Sequence, residues 1–251
     1  MSIEKTEQEL RDHSFNAIQQ ISSYIDGLIT ADDPDSKARG DKFCYWIEDY
    51  VKFLRFESQF KPTSLKRYKR GEIIKVHLGY NIGSEEGGLH YAVVLDKRNS
   101  IYSPVMTIVP LTSVKPTTNI KKLPMTSIYL GNELFTNLSA QIQLTKQHIR
   151  YEYVRLKTVL DNNAFVGEDI EKITNDIKKL ENEQRFLTKM NREIEKMRKG
   201  SIALINQVTT ISKIRIYDPK TSHDILSHVR LSDQKLDSID SALISQYTGR
   251  K

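Results

Sequence analysis

The chain has 251 residues, of which 28 % are charged and 38 % hydrophobic, with a mean hydropathy of -0.50. One cysteine, Cys44, excludes an intrachain disulfide, and no apolar run approaches the roughly 18 residues of a membrane span. A net charge of +6 suits a polyanionic partner as well as an ordinary soluble protein.

In chain order, Met1-Ser2-Ile3-Glu4-Lys5 is polar and lacks the apolar core of a signal peptide, so the expectation is a cytoplasmic protein. Leu10, Phe15, Ile18, Ile21, Ile25 and Leu28 recur at helical spacing and predict a helix over 3–29, ended by the turn Ala31-Asp32-Asp33-Pro34-Asp35. Phe43, Ile47, Val51 and Leu54 predict a second helix over 40–57, with Cys44 in an apolar context that reads as a structural thiol. Residues 61–70 carry five basic side chains and no acid and read as a linker after an N-terminal helical extension, 1–60.

From Gly71 the pattern changes to strands. Residues 72–78, 91–96, 105–111 and 127–130 are apolar runs separated by turn residues. Between the first two lies Gly83-Ser84-Glu85-Glu86-Gly87-Gly88-Leu89-His90, three glycines and two acids ending in a histidine. Such a loop on a β scaffold reads as a ligand site. Residues 137–199 break the strand pattern. Ile142, Ile149 and Leu156 recur at steps of seven, and Ile170, Ile173, Ile177, Leu180, Leu187, Ile194 and Met197 follow alternating steps of three and four, apart from polar Gln184 and Asn191. With Asn162-Asn163 and Gly167 between them, the two runs predict an inserted antiparallel helical hairpin. Strands return at 201–208 and 214–216, and a helix at 231–247 with Ser232 as N-cap. The segments 71–136 plus 200–251 would therefore form one β-rich domain.

Three blocks carry the chemistry: the loop ending in His90, Leu111-Thr112-Ser113-Val114-Lys115, and Gln207 to Arg215. Hydroxyls with Lys and Arg are donors a phosphodiester needs, and a histidine beside them can move a proton near neutral pH. The six histidines and Cys44 show no metal-ligand spacing, and no phosphate-loop or dinucleotide motif is present, so no metal or cofactor is expected.

These blocks, in this order, resemble the MazF/PemK toxins of bacterial toxin–antitoxin systems. The opening strand of that family is matched by Gly71-Glu72-Ile73-Ile74-Lys75-Val76, its Gly-Ser-Glu-Gln-Gly-Gly loop by Gly83 to Gly88, and its Leu-Thr strand end by Leu111-Thr112. Its last block is matched by Ser201 to Ile216, with Gln207 and Lys213 in place. The resemblance covers about half the chain. It implies an α+β fold, a small SH3-like antiparallel β-barrel of the MazF/PemK/CcdB type, here with N-terminal helices and the inserted hairpin. It also implies metal-independent endoribonuclease cleavage of single-stranded RNA, a homodimer, and silencing by a cognate antitoxin, more readily a protein than an RNA.

By position, the resemblance puts the family's catalytic arginine at His90 and its hydroxyl partner at Thr112. An imidazole lacks the permanent charge of a guanidinium but can take the 2′-OH proton or protonate the 5′-oxygen. Thr112, helped by Ser113, would hold the scissile phosphate, and Lys115 or Arg215 would stabilise its charge. Glu85 orients the loop, and Glu86, Gln207 and Thr209 complete the RNA surface. Asn206 stands where some members have an acid. The alternative is a module of the same fold that binds RNA or a protein target without cleavage. The N-terminal helices and basic segment are expected to extend the RNA or partner surface.

Overall fold

The computed structural model describes residues 5–161, 167–195 and 197–249. It divides into two units. The first comprises residues 1–60 with Gly79–Gly88, and the second comprises Lys61–Leu78 with Leu89–Lys251. The residues before Lys5 and the Asn162-Asn163 turn lie outside the described residues.

In the first unit, α1 (Glu7–Ile29) starts at a capping box, in which the Thr6 hydroxyl accepts from the Glu9 N–H and the Glu9 carboxylate accepts from the Thr6 N–H. Helix α2 (Pro34–Glu57) begins six residues earlier than its apolar spacing predicts. Asp33 caps it through the Ser36 N–H at 2.7 Å, and Pro34 occupies the first turn, where its missing donor costs nothing. The Pro34 turn is thus the start of the second helix. The two helices meet closely at Gly40, where an added Cβ would stand 3.2 Å from Leu28 Cβ.

In the second unit, seven antiparallel strands form one sheet with the path β4-β5-β3-β2-β1-β7 and β6 added on β3. The strands are β1 (Ile73–His77), β2 (Leu89–Val94), β3 (Val105–Ser113), β4 (Ser127–Gly131), β5 (Ser201–Leu204), β6 (Thr209–Ser212) and β7 (Ile216–Asp218). The α+β class with an antiparallel sheet is as expected. The strand path among the described residues is open, not closed into a barrel. Strand β3 is the organising element: its first half pairs with β6, its second half with β5, and its other edge with β2. The predicted strand 201–208 stops at Leu204. A 3-10 turn follows over Ile205–Gln207, and β6 begins after it.

Alternation along the strands gives the sheet two apolar faces. Ile73, Tyr91, Val93, Val109, Leu111 and Ala203 pack on α3 (Glu133–Asp161), α4 (Gly167–Glu195) and α5 (Asp233–Tyr247), through Leu134, Leu138, Ile142, Leu187, Met190, Ile194, Leu236 and Ile239. Ile74, Val76, Leu78, Ala92, Val94, Met106, Ile108, Ile211 and Ile216 form the opposite core with Tyr68. The basic segment 61–70 belongs to this unit by its contacts. Tyr68 is 1 % exposed and its hydroxyl donates to Pro219 O at 2.6 Å, while Lys66 Nζ bridges Glu72 and the Ser227 carbonyl, both at 3.0 Å. Ser232 precedes α5 but makes no side-chain cap. Its hydroxyl donates to Glu133 Oε2 at 2.9 Å, joining α5 to α3. No helix among the described residues is long and apolar enough to cross a membrane.

Candidate active site

In the second unit, the ends of β2 and β3 meet at a cleft of about 370 Å³, lined by Lys75, Leu89, His90, Tyr91, Leu111, Thr112, Ser113 and Met197. Tyr91 pairs with Leu111, so His90, one residue before, and Thr112, one residue after, emerge side by side from adjacent antiparallel strands. His90 is half-buried, and its Nδ1 lies 3.5 Å from the Leu111 carbonyl oxygen, which can only accept. Thr112 and Ser113 are half-buried and pair through their backbones with Ile202 and Ser201 of β5. The structure therefore brings together three of the residues singled out from sequence, an imidazole and two adjacent hydroxyls.

The cation on this cleft is Lys75, not Lys115 or Arg215. Lys75 stands in the middle of β1, paired with Tyr91 on one side and Asp218 on the other, and is 6 % exposed. Its Nζ lies 5.6 Å from the Tyr91 ring centroid and 5.5 Å from that of Tyr217, close enough for the ammonium to be held by both π-faces. Asp218, across the ladder, is pushed up to about 6 by burial, with Asp224 adding to the rise and Lys75 opposing it. The sequence signal for Lys75 was a charged residue at the inward third position of an apolar strand, on the same face as Ile73.

Other residues predicted for the site lie elsewhere. Lys115 is exposed beyond the end of β3. Arg215 donates to the Leu78 carbonyl and so ties the 3-10 turn before β7 to the end of β1. Thr209 is exposed on β6 and pairs with Ile108, four residues back along β3 from Thr112. That offset is roughly 13 Å of strand. Gln207 is half-buried in the 3-10 turn before β6. Lys213, in the same block, is 2 % exposed. Its Nζ donates to Ser100 O at 2.9 Å, and burial lowers its pKa.

Glu85 and Glu86 lie in the first unit, with the glycine loop. The Ile82 N–H donates to the Glu85 carboxylate at 3.4 Å, and Asn81 Nδ2 donates to Glu86 O at 2.6 Å. Gly88, at φ +77°, donates its N–H to Gly79 O at 2.6 Å and closes the loop at its base. An added Cβ at Gly87 would meet that same carbonyl at 2.9 Å, so this crossing admits only glycine. The loop packs on the helices through Tyr80. The Tyr80 ring centroid is 4.7 Å from that of Phe43, which in turn meets Tyr24 edge-on at 5.6 Å. A hydrogen bond with Tyr80 raises the Tyr24 pKa, and another raises that of Arg39. Tyr80 escaped the sequence reading because it precedes the glycine block.

No group of His, Cys, Asp and Glu able to hold a metal exists among the described residues. Residues 69–146 match the family model of the PemK-like, MazF-like toxin of type II toxin–antitoxin systems. The match begins before β1 and ends within α3, so it includes His90, Thr112 and Ser113 and excludes α1, α2, α4, β5, β6, β7 and α5. No curated protein matches the chain.

Proposed function

We propose, for a chain whose residues 69–146 match the model of the PemK-like, MazF-like toxin family, that the protein is the toxin of a toxin–antitoxin pair and cleaves single-stranded RNA without a metal. The observation that carries this reading is the cleft at the ends of β2 and β3, whose lining includes His90, Thr112, Ser113 and Lys75. Each supplies one requirement of transesterification. His90 takes the 2′-OH proton, and the freed oxygen attacks the adjacent phosphorus. The bond to the 5′-oxygen breaks, leaving a 2′,3′-cyclic phosphate and a 5′-hydroxyl once that oxygen regains a proton. Thr112 and Ser113 donate to the non-bridging oxygens, and Lys75 stabilises the charge that grows there.

Residues outside the cleft keep supporting roles in this reading. Glu85 holds the glycine loop, and Glu86, Lys115, Gln207, Thr209 and Arg215 remain candidates for RNA contact away from the scissile bond. The family description supports a protein antitoxin as partner. An SH3-like barrel curvature, a homodimer and a cytoplasmic location complete the reading by resemblance.

The test is incubation of the purified full chain with single-stranded RNA in EDTA. Cleavage that persists there, and falls at least a hundredfold in Thr112→Ala, supports the reading. RNA that stays intact but is bound supports the second reading, a module that holds its target without cutting it. That second reading is favoured by one observation, His90 in place of the family's arginine.

A further inference from the structure

A second cleft, of about 540 Å³, opens between α3 and α4 and is lined by Lys146, Ile149, Arg150, Tyr153, Gln184 and Thr188. Lys146, Ile149, Arg150 and Tyr153 follow steps of three, one and three, which places them on one face of α3; Gln184 and Thr188 are one turn apart on α4. Among the described residues no carboxylate lines this cleft. Among the described residues Lys146 and Arg150 carry no ion pair, whereas Arg155 on the same helix is paired with Glu152 at 2.9 Å. Two cations one turn apart, with no neutralising acid among the described residues, suit an anion.

The remaining lining narrows the ligand. The Thr188 hydroxyl donates to Gln184 O at 2.9 Å, so towards a ligand its oxygen is an acceptor. The Gln184 amide both donates and accepts. Tyr153 brings an aromatic ring to the same wall as the cations, and Ile149 is the one aliphatic residue among the described lining. Phosphate, a planar base and ribose hydroxyls meet all of these together. An acidic peptide would match the cations but would need more apolar wall than Ile149 alone. The two clefts are joined through the end of α4. Nine residues separate Thr188 from Met197, which lines the His90 cleft. Thr188 lies seven residues before the end of α4 at Glu195, roughly 10 Å of helix, and the chain reaches Met197 two residues later, within reach of one strand of several nucleotides.

We propose that the α3–α4 cleft is a second contact for single-stranded RNA, in which Lys146 and Arg150 hold phosphates and Tyr153 stacks a base beyond the scissile bond. This rests on the nuclease reading for its substrate, but its site and its residues are separate.

The test is binding of the full chain to a non-cleavable 2′-O-methyl RNA of about 20 nucleotides, followed by fluorescence anisotropy across a salt series. The double variant Lys146→Ala/Arg150→Ala is expected to bind about tenfold more weakly, with the log–log salt slope smaller by about 1.4, for two lost phosphates. Tyr153→Ala is expected to weaken binding about fivefold or more with little change in slope. The charge-matched control Lys178→Ala/Lys179→Ala, at two exposed lysines of α4, is expected to stay within about twofold of the parent. Equal losses in both double variants, or none in the cleft variant, would overturn the proposal. So would an acidic peptide that displaces nothing but binds the cleft better than RNA. Cleavage of RNA by the parent together with unchanged binding in the cleft variant would sink this inference and leave the nuclease standing. Cleft-dependent binding by a parent that never cleaves RNA would do the reverse.

Discussion

The α1–α2 pair and the α3–α4 pair are both two-helix elements with apolar side chains at helical spacing, and they end in opposite situations. Helices α3 and α4 send Leu134, Leu138, Ile142, Ile149, Leu187, Met190 and Ile194 into the core over the sheet. Helices α1 and α2 bury only Gly40, and Phe15 and Ile18 of α1 are each 62 % exposed. Two helices alone cannot bury enough surface to offset their ordering entropy. The α1–α2 unit is instead tied by its aromatic contacts, Tyr24 to Phe43 and Phe43 to Tyr80, which join it to the glycine loop. Periodicity thus tells which face of a helix is apolar; what covers that face is decided elsewhere in the chain.

The comparison breaks first if truncations in the two pairs cost the same. Leu138→Ala, at a fully buried site on α3, is expected to lower unfolding stability by about 2–5 kcal/mol in urea titration. A loss under about 1 kcal/mol would mean that α3 is not part of the cooperative core.

A smaller effect concerns the sheet that α3 and α4 cover. Burial raises the Asp218 carboxyl from 3.8 to about 6. A carboxyl raised on folding favours the native state below its unfolded pKa and loses that contribution as pH rises through the folded value. Stability is therefore expected to fall from about pH 4 to pH 6 and then level off, and Asp218→Asn to remove this slope and gain about 1–3 kcal/mol at pH 7. An unchanged pH profile in that variant would show that Lys75 compensates the buried charge fully.

Tyr80→Ala sharpens the contrast further. Hydrogen exchange of residues 79–88 should accelerate about tenfold, corresponding to about 1.4 kcal/mol of local stability, with β2 and β3 unaffected. Equal acceleration across β2 and β3 would mean that the loop is held by the sheet and not by Phe43. The smallest effect is expected for Ile18→Ala, within about 0.5 kcal/mol of the parent.

Much of this architecture could be read from residues. The helical hairpin of the insertion and strands β1 to β5 followed from spacing and loop punctuation, whereas the partnership of His90 with Thr112 was implied by the family resemblance. Strand β6 did not, because Thr209 and Thr210 are exposed, polar and without alternation, and only pairing with β3 makes them a strand. The start of α2 was hidden because Pro34 reads equally as a turn residue and as the first residue of a helix. Lys75 was hidden by its surroundings, since a lysine in an apolar strand becomes a site residue only when Tyr91, Tyr217 and Asp218 are brought to it by pairing. Lys115 and Arg215 were chosen for charge and nearness in sequence; the end of β3 before Lys115 and the turn before β7 place them elsewhere.

End-group analysis of RNA cut by the full chain in EDTA goes straight to the chemistry assigned to the His90 cleft. A 2′,3′-cyclic phosphate and a 5′-hydroxyl are expected, formed at least a hundredfold more slowly by His90→Ala at neutral pH. Products ending in a 5′-phosphate, or an undiminished rate in His90→Ala, would contradict the assignment of His90 as the group that moves the proton.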